Sequence, residues 1–94
     1  MKSVFYVGMD VHKETVRMAV LKGREKETVY EGTLKNDVAR IVKTVKAYSA
    51  KGEVVAGYEA GCMGYTLQRA LAKANVECRV IPPNHVPRVG SQRI

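Results

Sequence analysis

The sequence predicts an α/β domain that contains a mixed five-stranded sheet and two helices. Residues 4–9 and 53–58 are short apolar segments with the β-branched and aromatic side chains typical of buried strands, and an acid follows each of them. Residues 14–21 alternate imperfectly between apolar and polar side chains, as a strand with one wetter face does. Two later segments have the apolar period of amphipathic helices. The predicted element order is therefore β-β-β-α-β-α-β.

Composition limits the class of protein. The 94 residues suffice for one domain or for part of one. Sixteen lysines and arginines oppose nine acids, and the net charge of +7 favours a polyanionic partner, nucleic acid ahead of a membrane surface. A charge that only keeps a small protein soluble is the alternative. We see no signal peptide and no apolar run near the ~20 residues of a membrane span, so we expect a cytoplasmic protein without membrane contact.

The first three strands are predicted to form an antiparallel meander. Residues 4–9 form a strand that we expect to be covered on both faces. Asp10 closes it, and packing explains that acid poorly because burial of an unpaired charge is unfavourable. Residues 14–21 form the second strand, a polar connection with a glycine over residues 22–26 predicts a hairpin, and residues 28–34 form the third strand.

The first helix is predicted to begin at Asn36 and Asp37. Asn36 can accept hydrogen bonds from the free N–H groups of the first turn, and Asp37 suits the positive end of the helix dipole. Lys51 and Gly52 are expected to end the helix. The apolar stripe consists of Val38, Ile41, Val42, Val45 and Tyr48. Basic residues largely off that stripe are expected to form a solvated outer face: Arg40, Lys43, Lys46 and Lys51.

The second half of the chain alternates strand and helix. Residues 53–58 form the fourth strand, closed by Glu59, and a turn of small residues follows. A helix over residues 63–74 is predicted to end at Asn75, because asparagine tolerates the left-handed conformation that ends many helices. Residues 76–81 form the fifth strand, and two prolines stop it. We expect a domain core over residues 1–83 and a basic loop over residues 84–94.

The topology brings the two strand-closing acids together. Crossovers through helices give parallel, right-handed connections, and the economical strand order is then 3-2-1-4-5. Strands one and four become parallel neighbours about 4.8 Å apart. Asp10 and Glu59 then lie at the carboxyl ends of these strands, where open α/β sheets bind ligands. Each acid alone has a structural alternative, since Asp10 could cap a turn at Val11–His12 and Glu59 could pair with a lysine.

Two neighbouring carboxylates favour a bound cation, because both stay ionised side by side only with a cation or a proton between them. Mg²⁺ prefers oxygen ligands and accepts a site of one or two carboxylates completed by water and phosphate oxygens. Two such ions ~4 Å apart can activate a water or hydroxyl and stabilise the leaving oxygen in phosphodiester chemistry. We therefore expect Mg²⁺ or Mn²⁺ at Asp10 and Glu59.

Three blocks of the sequence resemble one family. The blocks are Gly8–Lys13 (GMDVHK), Tyr58–Tyr65 (YEAGCMGY) continued by LQR at 67–69, and Val80–Pro83 (VIPP) followed by Pro87–Arg88. Together they resemble the start of the DEDD-type transposases of bacterial insertion sequences. The catalytic domain of that family is similar to RuvC, the Holliday-junction resolvase, and has the ribonuclease-H-like fold. The Piv invertase belongs to the same group.

The resemblance implies a DNA transposase that cleaves phosphodiesters and transfers strands with metal ions. It implies that Asp10 and Glu59 are the first two of four metal-binding acids. The family's other two aspartates follow its Pro-Arg region, whereas no aspartate follows Asp37 here. We therefore expect a truncated catalytic domain with half of the acid tetrad, inactive by itself. The family's second domain, to which a nucleophilic serine is attributed, is expected to be absent as well.

The resemblance also implies partners. DNA is expected, an element-encoded RNA is implied for some members, and the full-length protein is expected to be a homo-oligomer. His12 and Lys13 either touch a DNA phosphate or neutralise the acids, and Arg69 is either a contact or a plain outer-face residue. The candidate nucleic-acid contacts are His12, Lys13, Arg69, Arg88 and Arg93.

Two other functions and one other site are alternatives. A non-catalytic basic module would bind nucleic acid through lysine and arginine alone. An actin-like ATPase half also opens with a strand that ends in Gly-x-Asp, but there small residues follow the acid, whereas bulky ones follow Asp10. A Cys/His metal site is disfavoured because the spacings match no zinc pattern. Its members would be His12, Cys62, Cys78 and His85.

Overall fold

The computed structural model describes residues 3–59 and 64–81. The bounds of the elements are β1 Ser3–Val11, β2 Thr15–Lys22, β3 Glu27–Lys35, α1 Val38–Lys46, a 3₁₀ turn Ala47–Ala50, β4 Gly52–Glu59, α2 Thr66–Lys73 and β5 Glu77–Ile81. No helix in this part of the chain is long and apolar enough to cross a membrane. Most of the predicted small-residue turn, at residues 60–63, and the whole predicted basic loop lie outside the described residues.

The five strands form one mixed sheet in the order β3-β2-β1-β4-β5. The pairs β1–β2 and β2–β3 are antiparallel, and the pairs β1–β4 and β4–β5 are parallel. The predicted meander, the parallel crossovers and the strand order are therefore confirmed. The strand order matters for function because it makes β1 and β4 neighbours with their carboxyl ends at the same edge.

The hydrophobic core lies between one face of the sheet and the two helices. Every second residue of β1, β2 and β4 is buried, because successive side chains of a strand point to opposite faces. On α1 the buried residues are four positions apart, and the same spacing occurs on α2. The core consists of Phe5, Val7, Met9, Val16, Met18, Val20, Ile41, Val45, Val54, Ala56, Tyr58, Leu67, Leu71, Val76 and Cys78.

The prediction that β1 is buried on both faces is wrong. Its inward residues are buried, but Tyr6 is 40% exposed, and Gly8 and Asp10 are exposed as well. The reason is that the core side chains of both helices lie against the other face of the sheet. We call the uncovered side the open face. Asp10 therefore lies at a wet surface, and the argument from an unfavourable buried charge does not apply to it here.

The predicted N-cap of α1 is corrected by one residue. The carboxylate of Asp37, and not the amide of Asn36, accepts hydrogen bonds from the first turn, from the N–H of Ala39 at 3.1 Å and of Arg40 at 3.3 Å. Asp37 thus combines the two functions that the sequence divided between two residues, since its oxygen caps free N–H groups and its charge faces the positive end of the dipole. Asn36 is left to bond elsewhere.

Gly52 does not end a helix as predicted. Lys51 is the C-cap of the 3₁₀ turn, and Gly52 is already the first residue of β4, without a positive φ. Gly52 pairs with Ser3 of β1, and a Cβ at Gly52 would lie only 2.2 Å from the carbonyl oxygen of Ser3. Glycine is therefore required by the close approach of two strands, and not by a left-handed helix end.

Asn75 follows the C-cap of α2 and terminates the helix, as predicted. Asn75 has a left-handed φ of 64°. Its N–H donates to the carbonyl of Ala72, and the N–H of Val76 donates to the carbonyl of Leu71, both at 2.9 Å. This pair of bonds is the Schellman arrangement, which satisfies carbonyl groups that the helix itself leaves unpaired.

Lys46 is exposed, as predicted, and it also has a partner on α2. Its ammonium group donates a hydrogen bond to the carbonyl of Ala74, the C-cap of α2. A cation suits that position because it complements the negative end of the helix dipole. Lys46 therefore joins the two helices, whereas Lys51 stands over the ring of Tyr48 at 5.7 Å from the centroid.

Cys78 of β5 is a buried thiol, and burial raises its pKa to about 11 from the ordinary 9.0. We expect very slow alkylation of the native thiol near neutral pH, because the scarce thiolate is the nucleophile. Since the folded pKa lies above the unfolded one, the stability contributed by this thiol is complete below about pH 9 and is lost as the pH rises toward about 11. Iodoacetamide modification and urea titrations of a Cys62→Ser variant check both expectations. Equal alkylation rates in native and denatured protein would contradict the burial of the thiol, on which both expectations depend.

Candidate functional site

Asp10 and Glu59 lie at the carboxyl ends of the neighbouring parallel strands β1 and β4. The last pair of the parallel register is Met9 with Tyr58, and each acid is the next residue of its strand. Met9 and Tyr58 are both core residues, so the pleat turns the two acids that follow them toward the open face. Neighbouring strands lie about 4.8 Å apart, which is within the span that one hydrated cation or two adjacent cations can bridge.

Asp10 has a side-chain partner in the turn that follows β1. The Nε2 atom of His12 lies 3.1 Å from the Oδ2 atom of Asp10, and the two side chains are 62% and 74% exposed. The turn folds back tightly, since the N–H of His12 donates to the carbonyl of Thr15 at 2.8 Å. His12 was predicted either to touch a DNA phosphate or to neutralise the acids. Its contact with Asp10 has the geometry that neutralisation needs. A ligand that uses Oδ2 has to displace the imidazole or share the oxygen with it.

Asn36 holds this turn in place from the start of α1. Its Nδ2 atom donates to the carbonyl oxygens of His12 at 2.7 Å and of Lys13 at 3.2 Å, and its N–H donates to the carbonyl of Glu14 at 2.9 Å. The Oδ1 atom of Asn36 is buried without a hydrogen-bond partner. Three consecutive carbonyl groups of the turn are thus bound by one residue that the sequence had assigned to helix capping.

Arg17 is the residue paired with Asp10 on the neighbouring strand β2, and sequence reasoning missed it. The antiparallel register of β1 and β2 places Arg17 opposite Asp10. Its guanidinium group contacts the carboxylate of Glu31 at 3.6 Å and the hydroxyl of Thr33 at 3.4 Å, both on β3. The length of the turn between β1 and β2 could have predicted this pairing. A turn over residues 12–15 pairs Val11 with Val16, and the next pair is then Asp10 with Arg17.

The hydroxyl of Tyr58 connects β4 to α2 just before Glu59. It donates to the carbonyl of Gly64 at 2.6 Å and accepts from the N–H of Gln68 at 3.2 Å. Burial is the main cause of the raised pKa of Tyr58, and the hydrogen bond from Gln68 opposes it. The cation of Arg69 opposes it as well, to a smaller extent. The raised pKa keeps the hydroxyl protonated and able to donate.

The structure brings together only some of the predicted site residues. Asp10 and Glu59 each follow a member of the last β1–β4 pair, and His12 is in contact with Asp10, whereas Lys13 is an exposed turn residue and Arg69 is exposed on α2. Within residues 3–59 and 64–81, no group of three or more His, Cys, Asp or Glu side chains is placed to hold a metal ion. Cys78, a member of the disfavoured Cys/His site, is a free cysteine that is buried in the core. Outside the described residues lie Cys62, His85, Arg88 and Arg93.

Comparison with known sequences gives consistent matches. A family model of DEDD transposases of the IS110 type, described as "Transposase", matches residues 7–94. The transposase of insertion sequence element IS1533 from Leptospira borgpetersenii is 39% identical over 95 residues. The putative transposase y4qE of Sinorhizobium fredii (strain NBRC 101917 / NGR234) is 37% identical over 91 residues. The chain is covered to 100% and 95% by these matches but spans only 28% and 23% of the two relatives.

Two solved structures share the fold. A Bacteroides thetaiotaomicron protein with an actin-like ATPase fold and unknown function has a TM-score of 0.66 at 8% identity, covering 94% of this chain and 35% of that one. RuvC of T. thermophilus, solved in complex with a Holliday junction substrate, has a TM-score of 0.54 at 13% identity, covering 86% and 66%. At such identities the likeness concerns the fold alone, and the predicted RuvC-like, ribonuclease-H-like fold is confirmed. The actin-like neighbour has the same kind of sheet and gives no support for ATPase activity.

Proposed function

The chain belongs to the DEDD transposases of the IS110 type, and we propose that it supplies the first half of a centre that cleaves and transfers DNA strands with divalent metal ions. Asp10 and Glu59 are the proposed metal-binding, catalytic acids. The proposal is supported above all by one observation, the parallel pairing of β1 with β4 up to Met9–Tyr58, after which each strand continues to its acid at the carboxyl edge of the sheet.

The donor set of this edge fits a hydrated divalent cation. Asp10 and Glu59 offer hard carboxylate oxygens, and the exposure of Asp10 leaves room for an ion that keeps part of its water shell. In phosphodiester chemistry, bound divalent ions activate the attacking oxygen and stabilise the leaving one. Two carboxylates can orient such ions. The Nε2 atom of His12, 3.1 Å from Asp10, lies where a cation bound to the same carboxylate oxygen would lie.

Basic groups near the acids support DNA as the substrate. His12 and Lys13 lie between β1 and β2, shortly after Asp10, and Arg69 is exposed on α2. The chain as a whole has a net charge of +7, which favours the phosphate backbone and makes binding sensitive to salt. Arg88 and Arg93 extend the proposed contacts along the sequence, and an RNA partner and self-association of the full-length protein stay predictions from the resemblance.

The 94 residues by themselves are proposed to be inactive. The family name denotes four acids, of which Asp10 and Glu59 are the two assigned here, and the chain spans about a quarter of its curated relatives. The core over residues 1–83 is accordingly proposed to be part of a larger catalytic domain. Binding of a metal ion needs fewer ligands than catalysis does, so the short chain is suited to a binding experiment and not to a cleavage experiment.

The experiment that tests the proposed function is a titration of the 94-residue chain with Mn²⁺, read from the electron paramagnetic resonance signal of the free ion. We expect saturable binding that Asp10→Asn and Glu59→Gln each weaken by at least about tenfold, because removal even of an outer-shell partner costs roughly 10–100-fold in metal affinity. Glu25→Gln, which removes an exposed acid from the β2–β3 turn, is the matched control and should bind as the parent does. Binding that is equal in all four proteins would overturn the assignment.

A further inference from the structure

Tyr58 occupies a special position in β4. It is 2% exposed, it precedes Glu59, and its ring lies in the core while Glu59 faces the opposite side of the sheet. The ladder between β1 and β4 ends at the pair Met9–Tyr58, whereas the ladder to β5 continues to the pair Glu59–Ile81. Glu59 is the residue that follows the last β1–β4 pair, so a constraint on Tyr58 affects the direction of the Glu59 carboxylate.

The hydroxyl of Tyr58 takes the place of a missing helix cap. The N-cap residue of α2, Tyr65, makes no side-chain capping bond, and no acid lies in the first turn. Gln68 is the third residue of α2, and its N–H is the one that a serine or aspartate at the N-cap commonly satisfies. Here the hydroxyl of Tyr58 accepts that N–H at 3.2 Å and donates to the carbonyl of Gly64 at 2.6 Å. The start of α2 is therefore bound directly to the end of β4.

We propose that Tyr58 is a positioning residue for Glu59: its two hydrogen bonds fix the end of β4 to the start of α2 and so hold the carboxylate of Glu59 beside Asp10. The ring is locked in the core, so the peptide that joins Tyr58 to Glu59 has one orientation, and the pleat then directs Glu59 to the open face. The inference rests on the proposed function, because it takes Glu59 to be a metal ligand. It adds a residue that never touches the metal or the DNA.

Groups that orient a metal ligand are commonly worth 10–100-fold in metal affinity. Tyr58→Phe removes the hydroxyl and keeps the ring, so the packing of the core is preserved. We expect the Mn²⁺ dissociation constant of the 94-residue chain to rise roughly tenfold in this variant. We also expect faster hydrogen exchange at the amide of Gln68, which loses its acceptor.

Two control variants separate positioning from general stability. Tyr65→Phe makes the same chemical change at a tyrosine that is 55% exposed and caps nothing, and it should leave Mn²⁺ affinity unchanged. Val45→Ala removes buried methyl groups from α1, so it should lower the denaturation midpoint without changing Mn²⁺ affinity. All titrations are made at a temperature at which circular dichroism shows each variant folded, with sucrose added where needed because excluded osmolytes favour the folded state.

The outcomes are distinct. Weaker Mn²⁺ binding in Tyr58→Phe but not in the two controls supports the inference. Unchanged binding in Tyr58→Phe, with the parent still dependent on Asp10 and Glu59, overturns the inference and leaves the proposed function intact. Equal weakening in Tyr58→Phe and Val45→Ala also overturns it, since the effect is then one of stability. Mn²⁺ binding that is independent of Asp10 and Glu59 overturns the proposed function and this inference with it.

Discussion

Asp10→Asn is expected to lower the rate of DNA cleavage at least about a hundredfold when these 94 residues form part of a protein of the family's full length, because loss of a single electrostatic group in an active site costs roughly 10²–10³ in rate. The physical reason is the loss of one of two adjacent carboxylates. An amide has nearly the same shape, but it carries no charge to hold a divalent cation. The measurement is a single-turnover cleavage assay with end-labelled DNA and either Mg²⁺ or Mn²⁺.

The controls for this experiment come from the same chain. Glu25→Gln also neutralises an acid, but in the exposed turn between β2 and β3, and should cleave at the parental rate. Circular dichroism should show both variants folded, since Asp10 is exposed and outside the core. A parental rate in Asp10→Asn would contradict the assignment of this acid. Robust, Asp10-dependent cleavage by the 94-residue chain alone would contradict its proposed incompleteness.

Leu71→Ala is expected to cause a large loss of stability. Leu71 is fully buried against the sheet, and truncation of such a leucine lowers the free energy of unfolding by about 2–5 kcal/mol. Domains of this size are commonly stable by only about 5–15 kcal/mol, so the variant loses a large share of its stability. Urea unfolding followed by circular dichroism measures the difference.

The matched control for Leu71→Ala is Val29→Ala on the edge strand β3. Val29 is 40% exposed, and surface changes of this kind usually alter stability by no more than about 0.5 kcal/mol. The two variants therefore separate burial from the mere removal of apolar atoms. Similar unfolding midpoints for both would contradict the packing of α2 on the sheet.

The sequence by itself determined the sheet and its order. Alternation along β2 identified Val16, Met18 and Val20 as inward residues, and all three are fully buried. Helical crossovers required parallel strands, so β1 and β4 became neighbours and their closing acids met at one edge. Asn75 ended α2 because asparagine accepts a left-handed backbone. These features are local or topological, and they can be predicted from the periodicity and the turn residues of one sequence.

Only the tertiary structure decided which polar groups meet across the elements. Asn36 and Asp37 are both good helix caps by residue type, and the choice between them followed from the nearby turn, whose carbonyl groups bind Asn36. Arg17 opposes Asp10 because of a hairpin register that the sequence leaves open by a residue or two, and a shift of one residue would move it to the other face. The strand composition also predicted cover on both faces of β1, since apolar content does not say on which face the helices pack.

Tyr58 shows the same division most clearly. Its apolar ring and its place in an apolar segment predicted a core residue, and that is where the ring lies. Its hydroxyl, however, bonds to Gly64 and Gln68, six and ten residues further along the chain, and residue type does not predict these partners. Periodicity reports which face a side chain is on, because burial depends on average surroundings. Hydrogen bonds depend on individual atoms in three dimensions, so the bonds that join the end of β4 to the start of α2 became visible only in the folded chain.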